Sequence, residues 1–328
     1  MKKLINNIDD IVTEMTKGVV VSSNGKLKKL DDYNVVIRTN VNNENVALIS
    51  GGGSGHEPAH AGFVGTGMLT AAVCGEVFTS PTPDAVLSAI KAANSKQGTL
   101  LVIKNYTGDL INFQVAEEMA QDEGLKVDHV VVNDDVALAK STTATGRRGI
   151  AGTILVHKIA GAAAEMGKDL NEVKRIAEKV IANTATMGLG LSACTVPAAG
   201  KPGFTLPDNE IEMGLGIHGE PGIARVPLKP VKELVKDIVN VIKEEIQLSK
   251  GQKVAVIVNG MGATPLMELY IAAYNLKDEL DALGLNIRYF KTGNYMTAID
   301  MHGMSITISK LDDETEKLLK EPQDTLAW

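Results

Sequence analysis

The chain has 328 residues, enough for two domains of ordinary size, and its 44% apolar and 22% charged residues are the balance of a globular protein. A formal charge of −7 with no basic run gives no electrostatic reason to bind nucleic acid or an anionic membrane, and no stretch reaches the roughly 20 apolar residues of a membrane helix. Two isolated cysteines, Cys74 and Cys194, exclude a disulfide framework or a thiolate metal site, and the charged start "MKKLINNIDDIVTEM" lacks the apolar centre of a secretory signal, so a cytoplasmic protein is expected.

In chain order, apolar runs of strand length alternate with helical patterns. "NVALIS" reads as a buried strand ending in the glycines of "GGGSGHEP". A helix is expected from about Ser80, with Ser80 as its N-cap and prolines in its first turn, then the strand "TLLVIKN", a helix from about Leu110, and the strand "VDHVVVND". The stretch from Thr142 to Gly188 reads as two alanine-rich helices. The Gly- and Pro-dense segment after it has no helical period, and a domain boundary is placed near Asn183. A helix from about Pro230, the strand "KVAVIVN", a helix from about Pro265 and the strands "IRYFKTG" and "MSITISKL" complete the chain. The expected fold is therefore two α/β domains, 1–183 and 184–328, with mainly parallel or mixed sheets and a substrate site between them.

Ligands of open parallel sheets bind beyond the carboxyl ends of the strands. Two such ends are chemically loaded here, Gly51 to His56 after the first strand and "KNYTGD" after the second, which brings Lys104 and Asp109 toward the glycine loop. The loop fits neither standard phosphate fingerprint: no G-x-G-x-x-G starts at Gly51 or Gly53, and no Gly-Lys pair is followed by Ser or Thr. His56, exposed by its small neighbours, titrates near neutrality and suits proton transfer. Asp109 suits a base, with a helix N-cap as the plainer reading. "GLGIHG" at Gly214 to Gly219 does match the dinucleotide spacing, but proline and glycine follow where a helix should open, as a helix rather than a strand precedes "GLGLSA" at Gly188 to Ala193. What remains is His218 on a glycine-flanked segment. His60, His129, His157 and His302 read as structural, and no metal-ligand spacing occurs, so no metal held by this chain alone is expected.

The stretches "ISGGGSGHEPAHAGFVGTGML", "CGEVFTSPTPDAV", "VIKNYTGDLINF", "TGRRGIAGT" and "MGLGIHGEPG", in this order over nearly the whole chain, resemble the dihydroxyacetone-binding K subunits of dihydroxyacetone kinases. The resemblance implies two α/β domains, a homodimer, and dihydroxyacetone held as a covalent hemiaminal on His218. It further implies that Gly53, Ser54, Gly55, His56 and Lys104 line the substrate, and that His56 and Asp109 move protons during phosphorylation of a hydroxyl. No nucleotide domain follows on this sequence. The resemblance therefore implies no cofactor on this chain, with ADP and Mg²⁺ on a separate L subunit that an M subunit of the phosphoenolpyruvate-dependent phosphotransferase system rephosphorylates. The alternative it leaves open is a non-catalytic paralogue that binds dihydroxyacetone and co-activates a transcription regulator.

Overall fold

The computed structural model describes residues 2–138, 146–220 and 222–328. Two compact units emerge, one from Lys2–Val132, Thr153–Lys179 and Lys317–Trp328, the other from Asn133–Gly152 and Val180–Glu316. The expected cut near Asn183 lies close to one of these crossings; the exchange of 133–152 and 317–328 is additional to it.

The first unit contains α1 (Ile11–Ser22), β1 (Leu27–Lys29), β2 (Val35–Arg38), β3 (Ala47–Ser54), β4 (Ala71–Val77), α2 (Pro83–Ala93), β5 (Thr99–Lys104), α3 (Thr107–Asp122), β6 (Val127–Val132) and α4 (Thr153–Glu165); α5 (Leu170–Ala182) leads out of it. Its six strands lie in the order β1-β2-β4-β3-β5-β6. β4, β3, β5 and β6 are mutually parallel, with β1 and β2 antiparallel at one edge. The chain goes from β3 to β4 on one side and then to β5 on the other, so the strand order reverses at β3, the place where such sheets open a crevice.

Side-chain alternation assigns the two faces. Ile49, Leu101 and Ile103 pack with Val86, Ile90, Phe113 and Ala116 of α2 and α3. Leu48, Leu100 and Val102 point the other way, where α4, buried from Thr153 to Ala164, lies against β3 and β5. By the same parity Gly52 and Lys104 belong to the α4 face.

The second unit holds β7 (Thr184–Gly190), β8 (Glu210–Met213), β9 (Ala224–Pro227), α6 (Val231–Glu245), β10 (Lys253–Gly260), α7 (Leu266–Ala282), β11 (Asn286–Gly293) and β12 (Gly303–Lys310). Its sheet runs β11-β10-β12-β7-β8-β9, antiparallel except for β10 and β11. Ala185, Met187, Val254, Val256, Ile306 and Ile308 pack one of its faces against Leu234 and Ile238 of α6 and Leu269 and Leu276 of α7. Both sheets are mixed, and the expected α/β class holds.

Several expectations are corrected. β3 does not stop before the glycines: Gly51, Gly52 and Gly53 remain paired with Val73, Cys74 and Gly75 of β4, because without Cβ atoms the two backbones can close together. The helix expected at Ser80 begins at Pro83, capped by Thr82, whose hydroxyl accepts from the Ala85 amide. The expected helix running to Gly188 ends at Ala182, and Thr184–Gly190 is a strand central to the second sheet. There Ala185, Met187 and Leu189 alternate into the core, and Thr186 bonds Thr307 across the ladder at 2.8 Å, a period-two pattern hidden behind the preceding helix. Helical structure expected from Thr142 starts at Thr153; residues 142–145 of that stretch lie outside the described residues. β1, β2, β4, β8 and β9 were not expected.

Candidate active site

In the first unit the site is built where β3, β4 and β5 end. Lys104 is the last residue of β5 and Asp109 sits in the first turn of α3, rather than both lying in a loop. The Asp109 carboxylate does not cap that helix: the N-cap position is Tyr106, and Asp109 Oδ2 instead faces Lys104 Nζ at 3.2 Å. Both are buried, Lys104 completely, and the ammonium also lies 5.2 Å from the centre of the Tyr106 ring. They close over Gly52, where an added Cβ would stand 2.6 Å from Lys104 Nζ and 3.2 Å from Asp109 Oδ2, with φ at +150°. Glycine at 52 is thus required twice, by contact and by conformation.

The chain after β4 crosses the same glycines. The Phe78 amide donates to the Ser54 carbonyl at 2.9 Å, and a Cβ on Gly53 would meet the Phe78 backbone at 2.7 Å. Phe78, itself held at φ 56°, stacks its ring on that of His56, with centroids 5.0 Å apart and planes 16° from parallel. His56, expected to be exposed by its small neighbours, is instead wholly buried, because Phe78 and the chain after β4 cover it. The Ser54 hydroxyl donates to the Gly75 carbonyl at 2.7 Å, and the Gly55 amide donates to the Glu57 carboxylate at 3.0 Å. Burial pushes the Glu57 carboxyl above its usual range, the Gly55 amide pulling the other way. Glu57 therefore shapes the turn that presents His56. Gly52, Lys104 and Asp109 are one contact group, and Gly53, Ser54 and His56 share the wall made by Phe78 and Gly75.

The remaining histidines have identifiable holders. His129 Nδ1 lies 2.6 Å from Glu117, whose carboxylate raises the ring's pKa, and His302 Nε2 lies 3.1 Å from Glu268. Glu117, Asp128 and His129 bring ligand atoms within 4.8 Å of one another, but Lys174 Nζ already neutralises Asp128 at 2.7 Å, so the group is an ion-pair cluster. His60 and His157 contact each other.

In the second unit His218 is half-buried on a segment whose other side chains, Leu215 and Ile217, are buried. Gly214 and Gly219 take φ of +68° and +85°, so the chain turns sharply on both sides of the imidazole. Arg148 clamps this turn. Its guanidinium lies against the Gly216 Cα, donates to the Gly214 carbonyl at 2.9 Å and to Glu220 at 2.8 Å, and is held in turn by Asp135 at 2.7 Å. Burial pushes the Asp135 carboxyl up to about 6, with Arg148 pulling it down. After Gly219 the chain enters strand β9, not a helix, so the dinucleotide spacing has no nucleotide geometry behind it; Pro221 lies outside the described residues. Phe78, Tyr106, Arg148 and Asp135 were not singled out from sequence. For Arg148 the signal was the Arg pair in "TGRRGIAG", two cations between glycines.

The Dak1 domain family model matches residues 17–327. The dihydroxyacetone-binding subunit of PTS-dependent dihydroxyacetone kinase 1 from Listeria innocua is 51% identical over the whole of both chains. Among solved structures, the dihydroxyacetone kinase operon co-activator Dha-DhaQ superposes with a TM-score of 0.92 at 37% identity, covering 98% of this chain and 99% of its own. The dihydroxyacetone kinase of C. freundii in complex with AMP-PNP and Mg²⁺ gives 0.93 at 38% identity, covering all of this chain and 60% of the other.

Proposed function

The chain belongs to the Dak1 domain family, and from that premise we propose that it is the dihydroxyacetone-binding subunit of a phosphoenolpyruvate-dependent dihydroxyacetone kinase. The observation that carries this reading is the buried Lys104–Asp109 pair closed over Gly52 at the reversal point of the sheet, with His56 on the turn that follows the same strand, stacked on Phe78. A carboxylate there can take a proton from a substrate hydroxyl while the ammonium orients its oxygens.

In this proposal His218 is the anchor. A ring nitrogen lone pair adds to the ketone carbon, the former carbonyl oxygen takes a proton, and the other ring nitrogen releases one, leaving a neutral hemiaminal. Glycerol offers no such carbon. The held hydroxyl then attacks the donor phosphorus and passes its proton to Asp109 or His56, while the bond from that phosphorus to the donor breaks and leaves ADP behind, giving dihydroxyacetone phosphate. The donor is a separate L subunit carrying ADP and Mg²⁺, recharged by an M subunit, in the cytoplasm; the K subunit itself acts as a homodimer.

A second reading, a dihydroxyacetone-binding co-activator, is favoured by the full-length match to Dha-DhaQ. The presence of His56, Asp109 and His218 together supports the catalytic reading. A crystal soaked with dihydroxyacetone tests the anchor: density continuous from His218 is expected, and density from another residue, or none, removes it. Turnover with L and M subunits and phosphoenolpyruvate separates kinase from co-activator.

A further inference from the structure

His60 and His157 form a buried pair that the proposed reaction does not use. His60 ends the short turn that carries His56, and His157 lies in the middle of α4. His60 Nδ1 is 2.9 Å from His157 Nε2, and the rings meet edge to face with centroids 5.1 Å apart. The two outer nitrogens, His60 Nε2 and His157 Nδ1, are buried without a hydrogen-bond partner. The single bond between the rings therefore ties the His56 turn to the helix behind the sheet. It requires one ring to donate and the other to accept, which two neutral imidazoles satisfy.

Among the described residues no carboxylate acts on the pair, so a proton added to it would be a cation without a counter-charge. From β5 the charged group facing the pair is Lys104, whose ammonium repels it; from the turn it is His56. β3 offers no titratable side chain, Glu57 is turned to the Gly55 amide, and Lys158 of α4 is directed to the Leu318 carbonyl. We propose that His60 and His157 are positioning residues, a neutral latch that holds the His56 turn in place and releases it on acidification. This rests on the kinase reading only for its consequence in turnover.

The direction follows from burial, which holds His157 down at about 3 and His60 well below its ordinary value. An opened turn regains an imidazole near 6.5, so the closed state is favoured above that pH and loses ground as pH falls toward 3. For His157 alone, pH 5 favours opening about 25-fold relative to pH 7.

The test needs no substrate: amide hydrogen exchange of residues 55–63 from pH 5 to pH 8, corrected for intrinsic rates, in the native chain, His157→Gln and His157→Leu. Gln keeps a polar atom near the Nε2 position and cannot take the proton; Leu fills the space without a bond. Protection in the native chain should fall at pH 5 by at least that factor, His157→Gln should keep only the smaller dependence that His60 contributes, and His157→Leu should be open at every pH. Equal protection in all three, or pH-independent protection in the native chain, overturns the latch. With donor subunits present, kcat in His157→Leu should fall about 10- to 100-fold as His56 is misplaced, and His157→Gln should restore most of it. A native chain that turns over no dihydroxyacetone would remove the kinase reading while the exchange result still decides the latch.

Discussion

Lys104 Nζ lies 3.2 Å from Asp109 Oδ2 inside the first unit, and both sit on a glycine that leaves room for nothing larger than hydrogen. A buried ion pair contributes little net stability, but removing one partner is strongly destabilising, about 3–5 kcal/mol, because the other charge stays buried. Such an arrangement suits chemistry more than stability.

Asp109→Asn should keep the shape of this pair, lose its proton acceptor and, by leaving the Lys104 charge buried without its partner, lower stability as well. A kcat loss of about 10²- to 10⁴-fold is expected, with dihydroxyacetone binding retained in calorimetric titration. Near-normal kcat would reduce Asp109 to the partner of Lys104.

Gly52→Ala places a Cβ 2.6 Å from Lys104 Nζ. Overpacking of this kind costs about 1–3 kcal/mol, beyond any backbone strain at φ +150°. Gly124→Ala is the control, with φ at +81° but nothing within 4 Å of the new Cβ. Denaturant melts should show both variants weakened, whereas dihydroxyacetone binding should be lost only in Gly52→Ala. Equal binding by the two would show that the Lys104 head group yields without consequence.

Arg148→Met should release the His218 turn and leave Asp135 without its cation. The folded Asp135 carboxyl stands at about 6 even with Arg148 present, above its unfolded value, so this group favours folding most below about pH 4 and loses that contribution as pH rises to 6. Taking away the guanidinium raises it further. The stability lost in Arg148→Met should therefore be larger at pH 7.5, where the carboxyl is left to ionise alone, than at pH 5, where it holds a proton. Melts at the two pH values measure it; a loss independent of pH would mean that Asp135 is not the group Arg148 serves.

The isolated chain should transfer no phosphoryl group from ATP to dihydroxyacetone, since it has no Gly-Lys-Ser/Thr loop and its glycine turn at Gly214–Gly219 runs into a strand. Turnover should appear only with a phosphoryl-donating L subunit. Measurable ATP turnover by this chain alone would falsify the donor argument.

The α/β class and the strands around "VALIS", "TLLVI" and "KVAVIV" were legible in the sequence, as were His56, Lys104, Asp109 and His218 as polar residues at strand ends and among glycines. Each is a local signal: an apolar run, a period of 3.6, a polar residue stranded among glycines. Only the folded chain decided the rest. The glycines after Ile49 stay in the sheet because β4 presents its backbone to them, and Thr184–Gly190 becomes a strand because β12 lies alongside. Asp109 turns from a cap into an ion pair because Lys104 ends its strand on the matching face, and Arg148 comes to hold the turn of His218 across 66 residues of sequence to Gly214. Two histidines read as unrelated, 97 residues apart, meet ring to ring. Pairings of this kind depend on register and on which strand faces which, and the sequence encodes those through packing across the sheet rather than through neighbours along the chain.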